Sequence, residues 1–368
     1  MRIRKILDHN KITSGEIKFD SILMYKPENI LYLLGFKLET VAYLLIPDVE
    51  FKRLSVPKFF VTELDYEMVV SKLKDLKIRD KIDVVKILIG QENIVSEEIK
   101  RLKLKRLGYE DGFVTVKGFN ELKNKYEGID FVGISNIMEE ARMVKDDDEI
   151  EKIKEAARLA DVGMNAIEDF FEEGKTELEI AAEVEYHMRK NGSSRAAFET
   201  IVASGERSIF PHGVSTQRKI QNGDIITIDI GAVVEGYNSD LTRTFIFGKV
   251  QEERANIINL VNDAQKVVLE KIKAGEKCVE MDQIARNYCE KNKVGEFFIH
   301  GLGHGVGVDI HELPYLNSKS NAVLEENMVV TVEPGIYIPG KGGARTEDLL
   351  VVKQNGYECL SKSKIYYY

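Results

Sequence analysis

Over residues 20–47, DSILMYKPENILYLLGFKLETVAYLLIP, short apolar runs alternate with Pro, Asn and Gly. That rhythm predicts strand, turn, helix and strand. It continues past Val56 and through DKIDVVKILIG, GFVTV and ELKNKYEGIDFVGI, so residues 1–133 are expected to form an α/β domain. No chemistry declares itself there: the single histidine is His9, and the carboxylates are spread among lysines as solvated faces are.

From about residue 135 the period lengthens, and a second, larger domain is expected over 134–368. Ile150, Ile153, Ala157, Ala160, Met164, Ile167 and Phe171 recur every three or four residues, the signature of an amphipathic helix. Thr176 precedes the next such run with Glu179 three residues on, a capping box. This second helix should run to about Lys190 and stop at Asn191-Gly192. A similar unit follows: a helix ending in KVVLEKIKAGEK, then another over roughly Met281 to Lys291. EEGKTELE…RKNG and KAGEKCVE…EKNK align loosely around Gly174/Gly275 and Asn191/Asn292. Two copies, each leading into strands, predict two similar halves of paired helices plus sheet rather than a solenoid.

The strands carry the candidate chemistry. In IITIDIGAVV, Ile226, Ile228 and Ile230 share one face while Thr227, Asp229 and Gly231 share the other. After Glu235-Gly236-Tyr237-Asn238 the chain returns as SDLTRTFIF, with Asp240, Thr242 and Thr244 on one face. A hairpin would set Asp229 and Asp240 side by side, and two opposed carboxylates call for a counter-cation. VVTVEPGIYI places Val329, Thr331 and Glu333 on one face; ARTEDLLVV does the same for Arg345, Glu347 and Leu349. A carboxylate in such apolar company is costly to bury unless paired or ligated; for Glu347, an ion pair with Arg345 is the structural alternative. HGLGHGVG surrounds His304 with glycines that let the backbone approach a site. The following HELPYL reads as a loop, so the glycines lack the strand–helix setting of a dinucleotide fingerprint. Asp229, Asp240, His304, Glu333 and Glu347 are together the donor set that two divalent cations sharing a water require. His212 in FPHGVS and His311 in DIHELP are imidazoles available for proton transfer or oxyanion stabilisation.

Bulk properties narrow the class. A length of 368 residues suits two domains, and a net charge of −9 disfavours a nucleic-acid binder. Cys278, Cys289 and Cys359 show neither a disulfide framework nor zinc spacing. No run is long enough to span a membrane, and the charged start MRIRKILDHNK lacks the apolar region of a signal peptide. A cytoplasmic protein is expected.

The frames PHG, DIGA, GYNSDLTRT, HGLGHGVGVDIHE, VEPGIYI and ARTED, in this order and spacing, closely resemble the proline-specific metallopeptidases, the Xaa-Pro dipeptidase (prolidase) and aminopeptidase P group of pita-bread peptidases. KPENILYLLGF resembles their amino-terminal domain, so the likeness covers nearly the whole chain. It implies an α+β protein: a pita-bread catalytic domain of two pseudo-symmetric halves, each of paired helices and antiparallel sheet, preceded by a smaller creatinase/prolidase-type α/β domain. It implies that Asp229 and Glu333 each bind one metal, that His304 joins Glu333, and that Asp240 and Glu347 bridge the pair. His212 and His311 match the group's two substrate-facing histidines, and Glu333 would also move the proton. The implied ions are Mn2+ or Co2+, with Zn2+ or Fe2+ as alternatives, the substrate a Xaa-Pro di- or oligopeptide, and the assembly a homodimer. Methionine aminopeptidase lacks a domain like residues 1–133, creatinase works without the metal pair, and the fold's binding modules typically lose ligands that are all present here. One departure stands out: many prolidases carry arginine four residues after the second histidine, where this chain has Tyr315. Arg345 is retained and remains a substrate-binding candidate beside Tyr315.

Overall fold

The computed structural model describes residues 19–48, 53–91, 93–167 and 170–368; His9 lies outside them. The chain divides into two compact units, Met1–Ala141 and Arg142–Tyr368. The expected boundary at 133/134 falls between the last strand of the first unit and the helix that leads to that division.

The first unit holds one six-stranded sheet, with strands β1 (Ser21–Met24), β2 (Tyr43–Pro47), β3 (Lys58–Thr62), β4 (Asp83–Ile87), β5 (Arg106–Tyr109) and β6 (Asp130–Gly133) in the order β4-β3-β2-β1-β5-β6. The β3–β4 and β5–β6 pairs are parallel and therefore need crossovers. Helices Glu63–Asp75 (α2) and Val116–Lys125 (α4) supply them, beside α1 (Pro27–Leu34), α3 (Ile94–Leu102) and α5 (Ser135–Met143). Leu23, Leu45, Phe60, Ile99 and Leu107 fill its core. GFVTV, expected to extend the sheet rhythm, instead makes a turn, because the Thr115 side chain accepts from Gly118 N and caps α4. Buried Glu110 has a structural role: it accepts Tyr25 N, Lys26 N and Asn29 Nδ2, where the start of α1 has no other side-chain cap.

In the second unit, α6 (Asp147–Ala166) opens with an Asp146–Glu149 capping box and α7 (Glu177–Lys190) with the Thr176–Glu179 box. α6 ends at Ala166, short of the expected Phe171; residues 168–169 on that path lie outside the described ones. The second helix pair is α8 (Glu252–Leu269) and α9 (Cys278–Lys291). The faint duplication is geometric. Gly174 and Gly275 have φ of 91° and 92°, and their N–H groups bond Ile220 O and Leu324 O. The next bridges are Thr176 to Lys219 and Lys277 to Val323, and Asn191 and Asn292 end α7 and α9 by donating to His187 O and Tyr288 O.

Each pair covers an antiparallel sheet. β7 (Ile201–Ser204), β8 (Asp224–Ile230) and β11 (Leu241–Phe247) form the first, in the order β11-β8-β7, with a small hairpin of β9 (Val233–Val234) and β10 (Tyr237–Asn238) between β8 and β11. β12 (Gly303–Gly305), β13 (Glu312–Leu316), β14 (Val329–Val332), β17 (Asp348–Lys353) and β18 (Gly356–Cys359) form the second, in the order β13-β12-β14-β17-β18; β15 (Gly335–Ile338) pairs with β16 (Gly342–Arg345). Ile226, Ile228 and Ile230 enter the core under α6 and α7, which leaves Thr227 and Asp229 on the opposite face as the alternation requires.

Three local expectations change. HELPYL contains strand β13 rather than a loop, pairing with β12; glycine is needed there because a Cβ on Gly305 would lie 2.3 Å from Leu313 O. Asp229 stands opposite Thr242, not Asp240: the β9–β10 hairpin takes up the intervening residues, so Asp240 precedes β11 and meets Asp229 diagonally. Arg345 and Glu347 do not share one strand, because β16 ends at Arg345 and β17 starts at Asp348. Glu347 sits in the break and donates its N–H to Thr242 O.

Candidate active site

A cavity of about 580 Å³ opens in the second unit, and its lining includes all nine sequence candidates: His212, Asp229, Asp240, His304, His311, Tyr315, Glu333, Arg345 and Glu347. Strand ends deliver the acids. Asp229 is the penultimate residue of β8, Asp240 immediately precedes β11, Glu333 follows β14 and Glu347 precedes β17. One ligand atom from each of Asp240, His304 and Glu347 lies within 4.8 Å of the others. His304 Nε2 is 3.3 Å from Glu333 Oε1 and 3.6 Å from Asp240 Oδ2. His304 Nδ1 lies 3.1 Å from Gly305 O; donating there fixes the ring with Nε2 turned to the acids.

Hydroxyls and a guanidinium orient the set. Thr242 Oγ1 donates to Glu347 Oε2 at 2.7 Å, and Thr331 Oγ1 accepts His304 N. Arg345 pairs with Asp229 at 2.6 Å rather than with Glu347. Its other N–H groups go to Thr242 Oγ1, Pro211 O and Tyr337 OH. At 4% exposed and so engaged, Arg345 holds Asp229 in place and has its N–H groups already bonded.

The electrostatics ask for cations. Burial first, then the neighbouring carboxylates, pushes Asp240 and Glu347 well above the usual carboxylate range. Glu333 moves the other way: against burial, the hydrogen bond and charge of His304 hold it below that range. Asp229 Oδ1 and Glu347 Oε1 are buried and accept no hydrogen bond among the described residues. Lone pairs hidden from water without a donor are costly, and four carboxylates with one imidazole suit divalent ions. The residues fit a metal centre.

His311 stands against His304, ring centroids 4.3 Å apart and near-perpendicular. Burial and then His304 push its imidazole below the ordinary value, so it is neutral near pH 7 and carries one N–H to donate. Tyr315 is 42% exposed at the rim. Two residues outside the sequence candidates stand beside them: His300, four residues before His304 in HGLGH, and Tyr337. Their side chains lie 3.1 Å apart, His300 lines the cavity, and burial pushes its imidazole down. The repeated histidine in that glycine frame was the available signal.

Comparison with known proteins agrees with this geometry. The model of metallopeptidase family M24 matches residues 151–354, and that of the Creatinase/Prolidase N-terminal domain matches residues 8–144. A Xaa-Pro dipeptidase of Pyrococcus furiosus is 37% identical over 99% of this chain and 97% of its own. The solved Xaa-Pro dipeptidase from Bacillus anthracis superposes with TM-score 0.89 at 34% identity over 99% of both chains. The X-Pro aminopeptidase from Thermotoga maritima does so with TM-score 0.85 at 32% identity, over 98% of this chain and 99% of its own. The fold is thus the expected one, a pita-bread catalytic domain behind a creatinase/prolidase-type domain.

Proposed function

The chain is a member of metallopeptidase family M24, and on that premise we propose that it hydrolyses the peptide bond before proline, as a Xaa-Pro dipeptidase. The observation carrying this reading is the clustered set Asp229, Asp240, His304, Glu333 and Glu347, in which two buried carboxylate oxygens have no donor among the described residues. Relatives named for Xaa-Pro cleavage at full length support the substrate class.

In this reading the five residues hold two divalent ions, Mn2+ or Co2+, with Zn2+ or Fe2+ as alternatives. Such ions supply Lewis acidity, making water nucleophilic near neutral pH and polarising a carbonyl. Glu333 accepts the proton of the attacking water and passes it to the leaving imino nitrogen. His212 and His311 donate to the scissile carbonyl and to the oxyanion that follows. Arg345 keeps Asp229 oriented through their 2.6 Å contact. A prolyl nitrogen has no N–H to offer, so recognition falls to shape, and Phe198, Ile201 and Val214 supply apolar wall. Chelator-stripped protein refilled with single metals and assayed on Xaa-Pro peptides tests the proposal; full activity without metal sinks it.

A second reading, removal of the first residue from longer Xaa-Pro peptides, is favoured by one observation. Among the described residues lining the cavity, Arg345 is the sole arginine or lysine, and it is buried and bonded. Tyr315 cannot form the bidentate contact to a dipeptide's terminal carboxylate that arginine makes. Comparing kcat/KM for a Xaa-Pro dipeptide and a Xaa-Pro-Xaa tripeptide separates the two. The proposal extends to a cytoplasmic homodimer, whose assembly sedimentation equilibrium measures.

A further inference from the structure

Two acids flank His311 in sequence, and both are gripped from a distant part of the chain. Arg142 Nη2 lies 2.5 Å from Asp309 Oδ2 and 2.5 Å from Glu312 Oε2. Lys145 Nζ takes the other Glu312 oxygen at 2.9 Å. The side chains of Arg142, Lys145 and Glu312 are 3%, 1% and 2% exposed. Lys145 is itself anchored, its N–H bonding Asn327 O.

The loop has little room to shift. A Cβ on Gly307 would stand 2.4 Å from Glu312 Oε1. Asn238 Nδ2 donates to Gly307 O at 2.9 Å and Val308 O at 3.0 Å. Glu312 opens β13 opposite Gly305 of β12, which sets His311 beside His304. An apolar filling of similar volume would pack such a space at least as stably as buried ions. What such ions add over apolar packing is a fixed direction, and Ile310 and His311 are the residues held between Asp309 and Glu312.

We propose that Arg142, Lys145 and Glu312 form a positioning clamp that orients the His311 imidazole towards the cavity and acts on catalysis through His311. The clamp rests on the reading of His311 as substrate-facing. Lys145 and Arg142 hold the Glu312 carboxyl below its usual range despite its burial, so the charges that make the clamp persist across neutral pH.

A double-mutant cycle tests it: wild type, Glu312→Gln, His311→Ala and the double variant, each measured for kcat, KM, metal content and melting midpoint. Expected is a fall of about tenfold in kcat for Glu312→Gln, with KM within about twofold and metal content unchanged. On the His311→Ala background the same change should cost less than about twofold, because residues acting as a unit are not additive. An equal fall on both backgrounds, an unaltered kcat for Glu312→Gln, or a fall that tracks lost metal overturns the clamp. A wild-type rate for His311→Ala alone overturns the reading of the site, and the clamp with it. Should Glu312→Gln not fold, Arg142→Lys repeats the cycle, since it keeps the charge but loses the fork spanning two carboxylates.

Discussion

The two halves of the catalytic unit share a scaffold and differ in what they hang on it. Gly174 and Gly275 turn alike, α7 and α9 follow them at the same spacing, and Asn191 and Asn292 end them in the same way. Yet the first half supplies Asp229, Asp240 and His212, while the second supplies His304, His311, Glu333 and Glu347. What repeats is backbone geometry, set by turns and caps. What differs is the load at strand ends and in loops, where a side chain can change without disturbing a helix. Fold and function are thus separable along this chain.

The sharpest way to break the comparison is to remove one acid from each half. Asp240 precedes β11 of the first sheet and Glu347 precedes β17 of the second, and each is buried with its carboxyl raised by its neighbours. If the metal site belongs to both halves equally, Asp240→Asn and Glu347→Gln should each lower kcat/KM by about 10³-fold, roughly 4 kcal/mol of barrier. Elemental analysis should show lost metal in both. Full activity in either variant would assign the centre to one half.

The imidazoles give a smaller effect. His212 comes from the first half and His311 from the second, and both line the cavity. Removing one donor to a developing oxyanion costs on the order of 10² in kcat, so His212→Ala and His311→Ala should each show that loss with metal retained. A variant that loses metal instead of rate would move its histidine into the ligand set.

These contrasts also mark how far the sequence could be read. Alternating apolar residues placed Asp229 on the open face of β8, and glycine spacing singled out His304, because both signals are local. The diagonal meeting of Asp229 and Asp240 was hidden, since it depends on the small β9–β10 hairpin absorbing chain between β8 and β11. GFVTV looked like a strand until Thr115 claimed it as a helix cap. The Arg142–Glu312 pair was invisible for another reason: the two lie 170 residues apart, and no pattern in either segment marks its partner.

Equivalent places in the two scaffolds sharpen the point further. Glu177 and Cys278 each take the first position of their helix, α7 and α9. Glu177 is fully buried and accepts from Ser204 N, Ser204 Oγ, Thr216 N, Thr216 Oγ1 and Arg207. It therefore ties down both ends of the loop that carries His212. Cys278 simply packs in the core. Glu177→Ala leaves half-buried Arg207 and several buried donors without their acceptor, so it should destabilise by about 3 kcal/mol, at the low end for a broken buried pair. Cys278→Ala removes one small apolar atom and should cost about 1 kcal/mol. Denaturant melts compare them, and equal losses would mean that the two positions do the same job.

The mildest test turns the second half into the first. Thr176 caps α7 through its side chain, with Glu179 closing the box. Lys277 stands at the same place before α9 with φ −81° and ψ 135° and no side-chain cap, although Glu280 already occupies the third position. That backbone suits a capping threonine. Lys277→Thr should complete a capping box and stabilise by up to about 1 kcal/mol. It gives up the 3.1 Å Lys277–Glu280 pair, whose side chains are more than half exposed and whose contribution is therefore small. Thr176→Ala should lose about 1 kcal/mol in mirror image. Opposite shifts of about 2–4 °C in the melting midpoint are expected. Shifts of the same sign would show that the two helix starts, alike in backbone, are held by different forces.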